Sequence, residues 1–216
     1  MDRRHFLGGA AVAALGAAGL VTIKPPAGLK GGMGGDAVSG AERRRNRFLN
    51  VALTTHEGRE VRFYDDLLKG KTVLLNFLYT VCTAEAICPL GTANLVALQE
   101  ILGPRVGKDI FLYSITLDPV NDTPGVLKSY AKAFGAKPGW EFLTGEKEEI
   151  ERLRRNLGYV NLDPAKDKDP SQHSGMLRYG IEPLERWAAC PILSRPEVIA
   201  RQIAWMEPGG ERPDPA

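Results

Sequence analysis

The stretch TVLLNFLYTVCTAEAICPLGTANLVALQEIL, residues 72–102, decides how this chain folds. It opens with Thr72 to Tyr79, a near-continuous apolar run of the kind that is buried on both faces of a sheet. It closes with a helical pattern from Pro89 to Leu102, stopped by Gly103 and Pro104. Pro89 suits the first turn of a helix, where its missing N–H costs nothing. Between strand and helix sit two cysteines, Cys82 in the connecting loop and Cys88 at or near the helix N-cap. There the open backbone donors and the positive end of the dipole favour a thiolate over a thiol. Thiolates bind soft metals and exchange disulfides, so the segment is a chemical site by its residue types alone. The structural alternative is a plain disulfide, which would close a short loop and stabilise little.

Outward from this segment the pattern is α/β. Phe48 to Leu53 and Glu60 to Phe63 flank the turn-like THEG and read as an N-terminal hairpin, with a short helical turn at Asp66 to Leu68. Downstream, Asp109 to Leu117 is a second apolar strand, Thr123 to Phe134 a helix, and Trp140 to Leu143 a strand with Trp140 in the core. Lys147 to Leu157 is a charged amphipathic helix and Tyr159 to Leu162 a short strand. Asp163 to Gln172, DPAKDKDPSQ, is polar and turn-rich and is expected to be a mobile loop. Leu177 to Ile181 is strand-like, and Pro196 to Met206 forms a last helix. Strands alternating with helices imply a mostly parallel sheet covered on both faces.

The 216 residues suffice for one ordinary domain with appendages, and 44% hydrophobic with 25% charged residues is a globular composition. A formal charge of +2 is too small to argue for nucleic acid. The basic run Arg43, Arg44, Arg45 has no aromatic ladder behind it and reads as a solvated segment. With three cysteines, at least one stays out of any pairing within the chain.

The N-terminus carries an address. Arg3 and Arg4 precede an Ala/Gly-rich core, and Phe6 to Ile23 is uncharged over 18 residues. Residues 1–23 resemble a twin-arginine export signal, either removed or kept as an inner-membrane anchor. Residues 24–46 read as a flexible tether, 47–208 as the folded domain and 209–216 as a tail. The expected location is exported and periplasmic.

Several strings together resemble the Sco/SenC family of copper-binding cytochrome c oxidase assembly proteins. They are FYDDLLKGKTVLLNFLYT, the cysteine run ending in CP, TLDPVNDTPGVLKSYAKAFG, WEFLTG, and the lone histidine of SQHSGMLRYG, His173. The most specific piece is Asp118, Pro119, Asp122, Thr123 and Pro124 in the pattern DPxxDTP. The resemblance implies a thioredoxin-like domain that binds one copper ion through Cys82, Cys88 and His173. Its implied partner is the copper-bearing subunit of cytochrome c oxidase or another periplasmic cuproprotein, to which it delivers copper or whose cysteines it keeps reduced. Two soft thiolates suit Cu(I), and an added imidazole allows Cu(II).

The sequence departs from that family at one point. The family has three residues between its cysteines, usually with Pro after the first, whereas here there are five, TAEAI, and Thr83 stands where that Pro would be. A spacing of three can place both sulfurs on one helical face, and a spacing of five cannot, so Cys82 must reach in from a loop. Asp118 and Asp122 are candidates for tuning the thiols, or else cap and turn residues before Thr123. His56 falls in a turn and is expected to be solvated, and Cys190, in WAACPIL, is a buried strand or turn residue. Two classes of function follow. The first is a copper chaperone without catalytic turnover; the second is a thiol-disulfide oxidoreductase or peroxiredoxin-like enzyme in which Cys82 and Cys88 form a redox pair. A family member that has lost metal binding through the altered spacing is the third.

Overall fold

The strand that the sequence marks as buried on both faces lies inside a seven-stranded sheet. The computed structural model describes residues 39–82, 87–167 and 175–212. Its strands are β1 (Ala52–Thr55), β2 (Glu60–Arg62), β3 (Thr72–Leu78), β4 (Ile110–Thr116), β5 (Trp140–Thr144), β6 (Met176–Ile181) and β7 (Arg186–Pro191), in the spatial order β2-β1-β5-β4-β3-β6-β7. The α-helices among the described residues are α1 (Gly40–Arg47), α2 (Ile87–Leu102), α3 (Pro124–Phe134), α4 (Lys147–Asn156), α5 (Pro164–Asp167) and α6 (Pro196–Met206). Phe63–Leu68 adds one turn of π-helix.

Side chains of β3 alternate between two cores, as the two-residue period of a strand requires. Leu74 and Leu78 pack with Leu95 and Leu98 of α2, Leu127 of α3 and Ile199 of α6. Val73, Leu75 and Phe77 pack with Phe63 and Leu67 of the π-turn and Ile150 and Leu153 of α4. Each such buried side chain contributes about 1.5–3 kcal/mol. Among the described residues the buried apolar ones lie between Val51 and Ile203, and Val38–Ala216 forms one compact unit. The segment before the cores is held by more than chain connectivity, since Arg44 of the N-terminal helix α1 reaches Glu182.

The sheet is mixed where the alternation of elements implies a mostly parallel one. Only β3, β4 and β5 run parallel; β1 pairs antiparallel with β5, and β6 antiparallel with β3. One expected parallel strand is absent after α4. Tyr159 to Leu162 is not a strand: the Tyr159 N–H bonds to Arg154 O, its hydroxyl donates to Leu75 O at 2.6 Å, and its carbonyl accepts from the Arg154 guanidinium. These bonds use its backbone on the end of α4, and β6 lies antiparallel to β3, its start beside the end where β3 finishes.

Two other expectations change. Pro164–Asp167, within the expected mobile loop, is a helical turn: Asp163 Oδ1 accepts from Ala165 N at 2.9 Å, and Asp167 is clamped by Arg154 and Arg155. Lys168 to Gln172 lie outside the described residues. Gly40–Arg47, within the expected tether, is helical, with Ser39 Oγ accepting from Glu42 N. Its Arg44 is not simply solvated but sits 3.2 Å from the buried carboxylate of Glu182. Residues 1–38, which contain the expected signal, also lie outside the described residues, and among those described no helix is long and apolar enough to cross a membrane.

Candidate metal centre

Strand β3 ends at Leu78, and α2 follows it in the chain. Helix α2 begins at Ile87, so Cys88 lies in its first turn and Pro89 follows within that turn. Cys88 is buried at 5% exposure, while Cys82 is half-buried against the same core. A side-chain hydrogen bond joins the two sulfurs. The five-residue spacing therefore does not part them, and Cys82 does reach in from outside the helix. Thr83 to Ala86 lie outside the described residues.

The surroundings of Cys88 oppose the helix-terminus argument. Burial pushes its thiol up to about 12, and the hydrogen bond with Cys82 and the nearby Asp122 carboxylate add to that. The Tyr79 N–H, which donates to Cys88 Sγ at 3.4 Å, works the other way and is outweighed. In the metal-free protein Cys88 is thus held as a neutral thiol; desolvation beats the dipole because the sulfur is inside the core. A soft cation would remove that penalty by displacing the proton.

Asp118 and Asp122 separate in role. Asp122, 2% exposed, accepts from Thr80 N at 3.2 Å, from the Thr80 hydroxyl and from the Thr116 hydroxyl. It ties the β4–α3 turn to the loop that carries Cys82. Asp118 serves its own turn: its carboxylate takes the Asn121 amide at 2.8 Å and its carbonyl accepts from Asp122 N at 2.8 Å. Thr123 caps α3 through Val126 N, and Gly135 ends it in the left-handed region at φ 75°.

His173 lies outside the described residues. Gly175, two positions later, does not: a Cβ there would come within 2.2 Å of Ile87 Cδ1, so the start of β6 rests on the first turn of α2 beside Cys88. Among the described residues no group of three or more His, Cys, Asp and Glu could hold a metal. His56, expected in solvent, is only 13% exposed in its side chain, and its Nδ1 accepts from Phe142 N at 3.1 Å with Glu141 at 3.5 Å. It ties the β1–β2 hairpin to β5. Cys190 is a buried residue of β7 opposite Leu177, its thiol pushed up by burial. Trp140 is core, its Nε1–H donating to Ser114 Oγ at 2.9 Å.

Sequence reading missed Thr80, Thr116 and Gly175. The first two carry a signal in hindsight: each is a polar residue at or just past the end of an apolar strand, where a buried carboxylate finds its donors. Gly175 carries none, because its constraint comes from a side chain 88 positions away in the sequence.

Comparison with known proteins bears on the same region. The SCO1/SenC family description matches residues 42–203. The SCO1 protein homolog of Bacillus subtilis is 40% identical over 88 residues, 40% of this chain and 44% of that protein. The chain spans about half the length of the curated relatives it matches. Among solved structures, copper-bound ScoI of Bradyrhizobium japonicum superposes with a TM-score of 0.58 at 26% identity, covering 72% of this chain and 96% of that one. BsSco, a Sco-family cytochrome c oxidase assembly protein with a disulfide switch, gives 0.57 at 25% identity, covering 71% and 88%.

Proposed function

The chain belongs to the SCO1/SenC family, and on that premise we propose that it is an exported copper chaperone whose cargo is held by Cys82, Cys88 and His173. The observation that carries this reading is the hydrogen-bonded sulfur pair at the β3–α2 junction. The donor set fits copper: two adjacent soft thiols are a Cu(I) site once deprotonated, and an imidazole extends the site to Cu(II). Support for His173 comes from its match to the family's distant histidine and from its sequence position two residues before Gly175, which rests on Ile87 next to Cys88. The acceptor is the copper-bearing subunit of cytochrome c oxidase or another periplasmic cuproprotein. Residues 1–23 act as the export signal or anchor, read by the twin-arginine route.

The test is copper binding by the purified chain, followed by transfer. One copper per chain is expected with sulfur and nitrogen ligation. His173→Ala should weaken Cu(II) binding far more than His56→Ala, whose ring is committed to Phe142 N. Copper should pass to an apo oxidase copper domain faster than free copper exchange allows, and Cys82→Ser or Cys88→Ser should abolish transfer. Equal effects from the two histidines would remove His173 from the ligand set. Sustained disulfide or peroxide turnover without metal, surviving His173→Ala, would replace the chaperone by an oxidoreductase.

A further inference from the structure

Ile87, Gly91 and Asn94 of α2 stand at i, i+4 and i+7 and so share one face of the helix. Gly91 and Asn94 meet the turn that follows β7, and Ile87 meets the residue before β6. A Cβ at Gly91 would come within 2.9 Å of Ile192 Cδ1, 3.0 Å of its Cγ2 and 3.2 Å of its Cγ1. A Cβ at Gly175 would come within 2.2 Å of Ile87 Cδ1 and 3.8 Å of Ile192 Cγ2. The buried side chain of Ile192 therefore fills a notch between two glycines, one on α2 and one before β6.

The backbone of Ile192 is held on both sides. Its N–H donates to Gly175 O at 2.7 Å, and its carbonyl accepts from the Asn94 amide at 2.7 Å. The same amide donates to Ser194 O at 2.8 Å, so both side-chain donors of Asn94 are used on one turn. Gly91 lies inside a helix, where alanine is the better helix former. Its glycine answers to the bulk of Ile192 and not to backbone conformation. Cys88 precedes Gly91 by three residues and shares a core with Ile192. Cys82 comes to it from outside the helix, and a hydrogen bond joins the two sulfurs.

We propose that Ile192 is a positioning residue for the thiol pair: seated between Gly91 and Gly175, it fixes the first turns of α2 against the ends of β6 and β7 and so sets Cys88 Sγ where Cys82 Sγ meets it. A change of one methyl in a packed contact is felt by its surroundings, and here the surroundings are the turn that carries a reactive sulfur. This inference rests on the sulfur pair and not on a metal, so it holds for a copper chaperone and for a thiol-disulfide oxidoreductase alike.

The test reads how readily the two sulfurs join. The full chain is equilibrated with mixtures of reduced and oxidised glutathione, and the Cys82–Cys88 disulfide is quantified by mass spectrometry after acid quenching and alkylation. In that exchange the pair gives two electrons and two protons to one oxidised glutathione, one S–S bond forms within the chain, and two reduced glutathiones leave. Gly91→Ala drives a methyl into Ile192 and should lower the equilibrium constant about tenfold or more. Ile192→Val, combined with it, removes the Cδ1 nearest the new methyl and should restore most of the loss. Ile203→Val takes the same methylene from a buried position on α6 and should leave the equilibrium as in the wild type. Circular dichroism verifies the fold of each variant. If Gly91→Ala does not fold, Asn94→Ala frees the turn without adding volume and should lower the constant in its place. No change in the variant that reports, no recovery with Ile192→Val, or an equal loss with Ile203→Val would each overturn the proposal. So would a wild-type pair that stays reduced in oxidised glutathione, since its sulfurs would then not be held together.

Discussion

The carboxylate of Asp122 accepts both the backbone N–H and the hydroxyl of Thr80, two residues before Cys82. A turn after one central strand thereby holds the loop after the neighbouring strand. The same carboxylate faces Cys88 closely enough to raise its thiol. One buried acid thus serves as an anchor for the site and as part of its electrostatics.

Asp122→Ala should leave three donors without an acceptor at a 2% exposed position, and is expected to cost about 2–4 kcal/mol in urea unfolding. Asp122→Asn keeps one acceptor oxygen and should cost less. If the alanine variant unfolds at the wild-type midpoint with an unchanged slope, Asp122 does not anchor the loop.

The metal-free protein should lose stability in alkali through Cys88. Its folded thiol titrates near 12 against an ordinary 9, so the folded state binds the proton more tightly. That contribution is fully present below pH 9 and is lost as pH rises from 9 to about 12. The tyrosines titrate in the same range, so the measurement is the difference between wild type and Cys88→Ala. A difference that does not vary with pH over this window would mean that Cys88 is not held neutral by burial.

Gly180 faces the flat of an indole. A Cβ there would come within 2.2 Å of Trp187 Cε3 and 2.4 Å of Cδ2, atoms of a rigid ring. Gly180→Ala is expected to destabilise by about 1–3 kcal/mol and to change the tryptophan emission, because Trp187 must leave Phe48. A neutral substitution with unchanged emission would show that β7 yields easily at that point.

Arg154 is the clamp on the chain after α4. Its guanidinium pairs with Glu151 and with Asp167, whose side chain is 6% exposed, and it also bonds Tyr159 O. Arg154→Ala should cost about 1–3 kcal/mol by leaving Asp167 with Arg155 alone and Tyr159 O without its donor. The Arg154 pairing holds the Asp167 carboxyl well below the usual range, so the stability it adds is present above about pH 4 and is lost as acid protonates it in the folded state. Thermal melts of both proteins between pH 2 and 7 check this: the gap should be widest near neutrality and narrow in acid. A constant gap would make the contribution of Arg154 packing rather than charge.

Much of this protein was legible from residue order alone. The apolar run Thr72 to Tyr79 had to be a central strand because no other element buries such a run on both faces, and Pro196 to Met206 matched its helix at both ends. The cysteine pair, its place between strand and helix, and the DPxxDTP string were enough to identify the family. Direction and contact were not legible. Tyr159 to Leu162 reads as a strand, yet Tyr159 is held by hydrogen bonds with Arg154 and Leu75, which local propensity does not encode. His56 reads as a turn residue and is one, yet a backbone N–H on another strand draws its ring inward. Cys88 has the sequence context of an activated thiol, but the core packed around it by α2, β3 and β7 removes water and reverses the expected shift. Local pattern determines which elements form and which chemical groups they carry. Tertiary packing alone decides their desolvation and their partners, because both depend on residues far away in the chain.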